Sequence, residues 1–380
     1  MTRRFVSIIA FVILGCSCLL AQRALELPRN IYSGEWKAGH VQGIAIDAQH
    51  KYMYYSFTTM LVKTDLQGNV VGTVTGLLGH LGCLSMNPAD GRLYGTLEYK
   101  DDVIGKGILK QECENRDFVN TFYIAIFDTD AINRVGMSAE TDSVMTTVCL
   151  PSVEADYNAT VQCGGKQFKH RLGCSGVDGV SFGPRFGKSR DSKWYLTVAY
   201  GVYSDLERTD NDYQVLLQYD VTNWRKFEHR LSLDNLHRFG PKSPDGQYFA
   251  FTGNTDWGIQ NLEYDVTNNC WIAAVYRGKK PQYPNYGVYA IDGSKKPQKQ
   301  PLNGVPYIKK GNVVSLLRKG LCTDGIYGWN FKYGSTGIVS LGDGYFYISH
   351  NGRSADGKEY TNLKMYRFVP DSSLGFELVN

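Results

Sequence analysis

The feature that most constrains this chain is a strand pattern that recurs five times. Five short segments each carry an apolar stretch with a glycine or another small residue near its start. They begin at His40, His80, Gly176, Gly258 and Gly334 and read HVQGIAID, HLGCLSMN, GVDGVSFG, GIQNLEYD and GSTGIVSL. Each is followed by a turn, an aromatic alternating strand and a third strand. Period-two alternation indicates β-strands, and repeated units of three or four short strands are typical of propeller blades. The sequence therefore predicts an all-β fold, a single β-propeller with four-stranded antiparallel blades and loop insertions.

The spacing of the repeats sets the expected number of blades. Successive segments begin 40, 96, 82 and 76 residues apart, whereas one blade needs about 40–50 residues. The longer intervals hold insertions, such as residues 100–120 and 154–171, or degenerate extra blades. We expect five blades, with six or seven as alternatives, and a ring closed where the C-terminal strand meets residues 31–36. A β-sandwich is the main alternative fold, but it would not repeat one strand order five times.

The amino terminus predicts export. Arg3 and Arg4 precede an apolar stretch over residues 5–21, which is the pattern of a secretory signal cleaved after Ala21. This gives a signal peptide over residues 1–21 and a propeller domain over residues 22–380, in the periplasm or outside the cell. Lipoprotein anchoring at Cys16 is the alternative. No later stretch is long and apolar enough to span a bilayer.

Charge and cysteine spacing exclude two classes of site. The formal net charge of +4 is spread thinly over 380 residues, which gives no case for a nucleic-acid partner. The seven cysteines after residue 21 match no zinc pattern. In an oxidising compartment, Cys163 could pair with Cys174 and Cys113 with Cys149.

The chemistry of a propeller is expected at its axis, where the innermost strands converge. At the position before the small residue, the five repeats carry Gln42, Gly82, Asp178, Gln260 and Thr336, and His40 and His80 stand two residues earlier in the first two. Convergent polar groups in a concave site are a typical binding-site signature. The alternative is that these side chains bond loop backbones or hold channel water.

Further candidates lie at strand ends and in loops. Glu98 and Asp178 could act as acid and base or hold a cation, His40 and His80 could transfer protons, and Arg208 could neutralise a substrate carboxylate. Aromatic faces and amides suit sugar rings. Blade-to-blade packing is the competing use of the aromatic residues. The remaining candidate ligand-binding residues are Tyr200, Tyr203, Asn254, Trp257, Trp329 and Tyr333.

The segment HVQGIAID with YMYYSF and LVKTDLQG resembles the secreted NHL/YncE-like and SMP-30-like propeller superfamilies. The whole chain also resembles exported, uncharacterised propellers of gut-type bacteria, which often accompany glycan-degradation systems. The resemblance to SMP-30-like lactonases implies a calcium or other divalent ion on the axis, to which Asp178 and Asn254 could contribute.

Together, the residues and the resemblance lead us to expect an exported carbohydrate-active or carbohydrate-binding propeller. Its partner would be an oligosaccharide or another small polar ligand, and its chemistry that of a polysaccharide lyase or glycoside hydrolase. The alternatives are a non-catalytic ligand-binding propeller and, less strongly supported, a metal-dependent lactonase.

Overall fold

A computed structural model describes residues 24–380. The signal peptide predicted for residues 1–21 lies outside this range. Five small sheets are arranged in a ring, and their first strands contact one another around the centre. The chain is therefore a five-bladed β-propeller, as the repeats predict, and the six- and seven-bladed alternatives are wrong.

Blades 1 and 2 are regular four-stranded antiparallel sheets that run outward from the axis. Blade 1 consists of Val41–Ile46, Tyr52–Phe57, Met60–Asp65 and Val70–Thr75, with the parallel strand Met137–Ser138 at its outer edge. Blade 2 consists of His80–Met86, Leu93–Tyr99, Thr121–Phe127 and Met145–Cys149.

Blades 3 and 4 account for the long repeat intervals. Blade 3 consists of Cys174–Pro184, Trp194–Val202, Tyr213–Tyr219 and Gly246–Phe251, and its outer edge carries Gly311–Val314 and Gln298–Gln300. The Gly246–Phe251 strand is thus a fourth strand and not part of an extra blade. Blade 4 consists of Thr255–Asp265, Cys270–Arg277 and Val288–Asp292, and isolated bridges from Leu316 and Trp329 continue it outward. The hairpin Leu321–Thr323 and Ile326–Gly328 follows.

Blade 5 closes the ring with strands from both ends of the described chain. It consists of Ile338–Gly342, Tyr345–Arg353 and Glu359–Phe368, and the last of these pairs with both Asn30–Tyr32 and Phe376–Leu378. In the first pairing Ile31 lies opposite Leu363. The predicted meeting of the C-terminal strands with the segment around Ile31 is therefore present.

The two predicted insertions lie at one end of the ring and contain secondary structure that the sequence did not reveal. The first holds the helix Val103–Gln111. The second insertion begins within the helix Pro151–Asn158. It also includes the hairpin Thr160–Cys163 and Lys166–Lys169, and a 3₁₀ turn at Arg171–Gly173 follows. Another 3₁₀ turn spans Trp224–Lys226. Both helices were missed because they are short and only weakly amphipathic.

The axis is narrow because small residues recur where the inner strands meet. A Cβ atom at Gly43 would lie 2.7 Å from the Cα of Cys83, so a side chain there would push the first two inner strands apart. Asn261, at the matching position of blade 4, donates from Nδ2 to the carbonyl oxygens of Gln42 (2.7 Å) and Ser335 (3.0 Å). These contacts tie three blades together at the axis.

All seven cysteines of the described chain are free thiols. The predicted pairs Cys163–Cys174 and Cys113–Cys149 are therefore wrong. Cys174 is buried in the core between blades, and Cys163 instead contacts Thr209 Oγ1 at 3.0 Å. Within residues 24–380, no helix has the length and apolar character needed to cross a bilayer.

Candidate functional site at the propeller axis

A cavity of about 240 Å³ opens at the end of the axis where the inner strands begin. It brings together five of the predicted ring residues, namely His40, Gln42, His80, Asp178 and Gln260, and also Trp257. Gly82 and Thr336 are not among the residues that line it. The lining that the sequence did not indicate comprises Thr58, Lys100, Ile104, Ser175 and Tyr276.

The floor of the cavity carries a cluster of one imidazole and two carboxyl groups. His80 Nδ1 lies 3.9 Å from Glu98 Oε2 and 3.9 Å from Asp178 Oδ1, and one ligand atom from each residue lies within 4.8 Å of the others. His80 and Glu98 are direct cross-strand partners in blade 2. Asp178 comes from blade 3, at a register shift between Val177 and Val180 that turns its side chain towards the axis.

Lys100 is the counter-ion of this cluster. Its Nζ lies 2.7 Å from Glu98 Oε2 and 3.8 Å from Asp102 Oδ2, and it donates to the carbonyl oxygen of Ser175 at 2.9 Å. The other carboxyl oxygen of Glu98 accepts the backbone N–H of Val177. Glu98 is 2% exposed and lies beneath the cavity surface. Lys100, Asp178 and His80 line the cavity.

Burial separates the proton affinities of the two carboxyl groups. It raises the pKa of Glu98 to about 8, although Lys100 opposes the rise. Burial also raises the pKa of Asp178 to about 6, against Lys100 and the amide of Gln260. The pKa of His80 falls to about 3 through burial and the nearby Lys100 and His40. Near pH 7, the two carboxyl groups therefore share one proton beside a neutral imidazole and a charged lysine.

Amides and an aromatic residue orient the exposed part of the cluster. Gln260 donates from Nε2 to Asp178 Oδ2 (3.1 Å) and to the carbonyl oxygen of Trp257 (2.9 Å). Gln42 donates from Nε2 to Thr58 Oγ1 at 3.3 Å. The carboxylate of Asp178 is thus fixed while its Oδ1 faces His80. A cavity that offers amides, a carboxylate and an indole can bind several hydroxyl groups of one small polar ligand.

The cluster does not fit a resident divalent cation. One nitrogen and two carboxyl groups are suitable donors in kind, but the ammonium group of Lys100 already contacts the Glu98 oxygen that a cation would need. Two positive charges at this spacing repel each other strongly in a buried site. The calcium or other divalent ion implied by the resemblance therefore has no support from these donors, and Asn254 does not line the cavity.

Arg208 does not reach the axial cavity. It is 4% exposed, and its guanidinium forms a bidentate pair with Asp210, with Nε–Oδ1 at 2.8 Å and Nη2–Oδ2 at 2.9 Å. Its remaining donors bind the carbonyl oxygens of Lys169 and His170. Since Asp210 neutralises the charge and every terminal nitrogen is engaged, Arg208 holds the hairpin at residues 160–169 and is not placed to bind a substrate carboxylate.

Five predicted ligand-binding residues have structural contacts away from the cavity. The hydroxyl of Tyr200 donates to Asp156 Oδ2 at 3.0 Å, and the amide oxygen of Asn254 accepts the Lys279 N–H at 2.9 Å. The other three bond or stack within the outer parts of blades 4 and 5 and their loops: Trp329 with Pro370, Tyr333 with His350 and Thr336 with Ser349. These side chains therefore serve packing and the anchoring of loops.

Lys100 is the important residue that the sequence reading missed, although a signal was present. In LYGTLEYK it stands two residues after Glu98, and alternate residues of a strand point to the same side. Tyr99, between them, points away and donates to the carbonyl oxygen of Leu77 at 2.7 Å. The period-two rule applied past the end of the strand would have placed Lys100 beside Glu98.

Comparisons with known proteins assign no family to this chain. No protein-family model matches the chain, and no curated protein matches it. Among solved structures, the PQQ domain of pyranose dehydrogenase from Coprinopsis cinerea is 10% identical, with 85% of this chain and 81% of that chain covered and a TM-score of 0.36. The carbohydrate-active enzyme of family AA12 from Trichoderma reesei is 9% identical in its calcium structure, with 85% and 80% covered and a TM-score of 0.37. At this level of similarity, neither structure carries an argument about function.

Proposed function

We propose that the axial cavity binds one end of a carbohydrate chain and that Asp178 and Glu98 cleave it with the help of His80. The observation that carries this proposal is the convergence of His80, Glu98 and Asp178 beneath a cavity whose walls are amides and aromatic rings. At about 240 Å³, the cavity is smaller than the roughly 300–1,000 Å³ of typical drug-sized pockets. A single sugar unit is therefore the expected occupant.

Hydrolysis is the reaction that this arrangement favours. Ligand atoms of Glu98 and Asp178 lie within 4.8 Å of each other, which suits the two-step mechanism in which a carboxylate attacks the anomeric carbon as an acid protonates the leaving oxygen and the glycosidic C–O bond breaks. Water then releases the sugar from the carboxylate. Asp178, with a pKa of about 6, is ionised near pH 7 and can act as the nucleophile, whereas Glu98, with a pKa of about 8, retains the proton. His80 lies between the carboxyl groups and can pass that proton to the cavity.

The decisive experiment is an assay of reducing-end release over a panel of neutral and acidic glycans, with a parallel measurement of binding. We expect the wild type to cleave at least one glycan, and Asp178→Asn to lose cleavage but still bind. Asp130→Asn is the matched control, because Asp130 is exposed at the opposite mouth of the channel and should leave the rate unchanged. Equal rates in Asp178→Asn and the wild type would refute the proposal.

The alternative function is ligand binding without turnover. It would be supported if the wild type binds glycans but releases no reducing ends and no unsaturated products. An unsaturated, ultraviolet-absorbing product would instead identify a lyase. Arg208, which was expected to hold the uronate, is paired with Asp210, so the structure offers less support for a lyase than for a hydrolase.

A further inference from the structure

We infer that a second cavity beside the axial one binds the following units of the same glycan, and that the preferred glycan is uncharged. This inference rests on the proposed function and extends it from one sugar unit to a chain. The side groove, as we call this cavity, has a volume of about 510 Å³ and lies between the 160–169 hairpin and the loop after Tyr203. Trp257 lines both the side groove and the axial cavity, so the two cavities adjoin at this residue.

Trp257 lies in a β-bulge with a left-handed backbone conformation. The pairing of the blade 4 inner strand with its neighbour jumps from Asp256 to Ile259, so Trp257 and Gly258 form a bulge. Both adopt left-handed conformations, with φ of 66° and 76°. A bulky aromatic residue seldom adopts such a φ, and bulges commonly redirect side chains at functional sites. The bulge places the partly exposed indole at the junction of the two cavities.

A second aromatic ring extends the indole into the side groove. The Tyr203 and Trp257 ring centroids lie 5.5 Å apart in an edge-to-face arrangement, and Tyr203 also contacts the ring of His170 at 5.0 Å. The Tyr203 hydroxyl donates to Asp102 Oδ2 at 3.1 Å, which in turn lies 3.8 Å from Lys100 Nζ. The aromatic wall is thus held rigidly to the residues beneath the axial cluster, and successive sugar rings can stack along it.

The charges around the side groove favour a neutral ligand. The guanidinium of Arg208 is neutralised by Asp210, and burial lowers the pKa of His170, so its imidazole is uncharged near pH 7. The rim carries one further cation and one anion, Lys169 and Asp205. No surplus of positive charge therefore remains to compensate a chain of uronates.

The test is an array of mono- to hexasaccharides of glucose, mannose, galactose, xylose and N-acetylglucosamine, together with uronates of matched length. We expect affinity for neutral glycans to rise at least tenfold from one unit to three. Trp257→Ala should abolish that rise, and because the indole also lines the axial cavity the variant should bind single units and trimers with affinities within threefold of each other. Trp257→Phe should restore part of the rise, because a smaller ring still stacks. Trp194→Ala serves as the matched control, since Trp194 lies at the opposite mouth.

The outcomes separate this inference from the proposed function. Binding of single units with no dependence on chain length would overturn the inference and leave the axial site intact. Preference for uronates of equal length would overturn the assignment of an uncharged ligand. Absence of glycan binding by the wild type would overturn both proposals together. A length dependence that survives in Trp257→Ala would show that the indole is not part of the binding surface.

Discussion

Lys100 Nζ lies 2.7 Å from Glu98 Oε2 at the floor of the axial cavity, and both side chains are almost fully buried. This contact determines what the cavity-facing Asp178 can do, because the lysine compensates the single negative charge that the two carboxyl groups carry near pH 7. Removal of Lys100 leaves that charge without compensation, which is costly in a site of low polarity.

We expect Lys100→Met to lower the free energy of unfolding by about 3–5 kcal/mol, the usual cost of breaking a buried pair from one side. Adding Glu98→Gln should recover part of this loss, because only one buried carboxyl group, that of Asp178, then remains without the lysine. Urea unfolding of the wild type, both single variants and the double variant measures the coupling. If the losses of the two single variants sum to the loss of the double variant within about 0.5 kcal/mol, the two residues do not interact.

The activity is expected to follow a bell-shaped pH profile with a maximum near pH 7. The rate should rise as Asp178 ionises, with a pKa of about 6, and fall as the proton leaves Glu98, with a pKa of about 8. These limbs belong to the coupled pair rather than to either residue alone. The measurement is kcat/KM between pH 5 and 9 for the best substrate. In Glu98→Gln the alkaline limb should disappear, and a limb that remains at the same pH would argue against the assignment.

Glu263 provides a test of pH-dependent stability at the other end of the channel. Burial raises its pKa to about 8, while the N–H of Ser340 and the hydroxyl of Ser181 oppose the rise. A raised carboxyl pKa means that the folded state binds the proton more tightly. Its contribution is therefore complete below about pH 4.5 and is lost as the pH approaches 8, by up to about 1.4 kcal/mol per pH unit.

Glu263→Gln should remove this part of the pH dependence, because glutamine resembles the protonated acid. We expect the variant to lose less stability than the wild type between pH 5 and pH 8, as judged by urea unfolding at both values. Identical slopes in the two proteins would show that Glu263 ionises freely in the folded state.

Arg208→Gln should destabilise the 160–169 hairpin without acting on the reaction directly. The substitution leaves Asp210 buried at 0% exposure without its cation, so we expect a loss of about 3–5 kcal/mol. The rate of hydrogen exchange at the hairpin amides should rise as a result of this destabilisation. Lys166 lies on the same hairpin and forms an exposed ion pair with Glu207, which lies in another loop. Lys166→Ala breaks that pair and should change the free energy of unfolding by less than about 1 kcal/mol. A wild-type exchange rate in Arg208→Gln would contradict the structural role.

The seven cysteines of residues 24–380 should behave as unpaired thiols in a protein produced from residue 22 onward. Cys113 and Cys322 are exposed, and the other five are buried. Brief alkylation of the folded protein should therefore modify two cysteines, and alkylation in denaturant should modify seven. Mass spectrometry counts both. An unchanged melting temperature in the presence of a reductant is also expected, and a reductant-dependent shift would indicate a disulfide.

The repeats allowed the ring of blades and much of the axial site to be predicted. His40 and His80 stand at one matching position of the repeats, and Gln42, Asp178 and Gln260 stand at another, so a propeller brings them to one mouth of the channel. Residues outside the repeat register could not be placed in this way. The partners of Arg208 include carbonyl groups of a hairpin nearly 40 residues earlier in the chain, and nothing in the local sequence indicates that contact.

The helix Val103–Gln111 shows the same limit for secondary structure. It contains Gly105 and Gly107, which lower its intrinsic helix propensity. Its formation depends on the side-chain cap from Asp102 and on the burial of Ile108 and Leu109. The cap is local, but the burial is a tertiary contact, and the alternation that identifies the strands gives no information about it.

The closure of the ring through Asn30–Tyr32 has a consequence for how the protein is made. Its partner strand Glu359–Phe368 leaves the ribosome more than 300 residues later, so the early strand waits through nearly the whole of synthesis. Until then, the growing chain presents open sheet edges, which readily pair with other chains. Proper assembly is thus a late event, and variants that delay the last blade should aggregate before those that weaken the first.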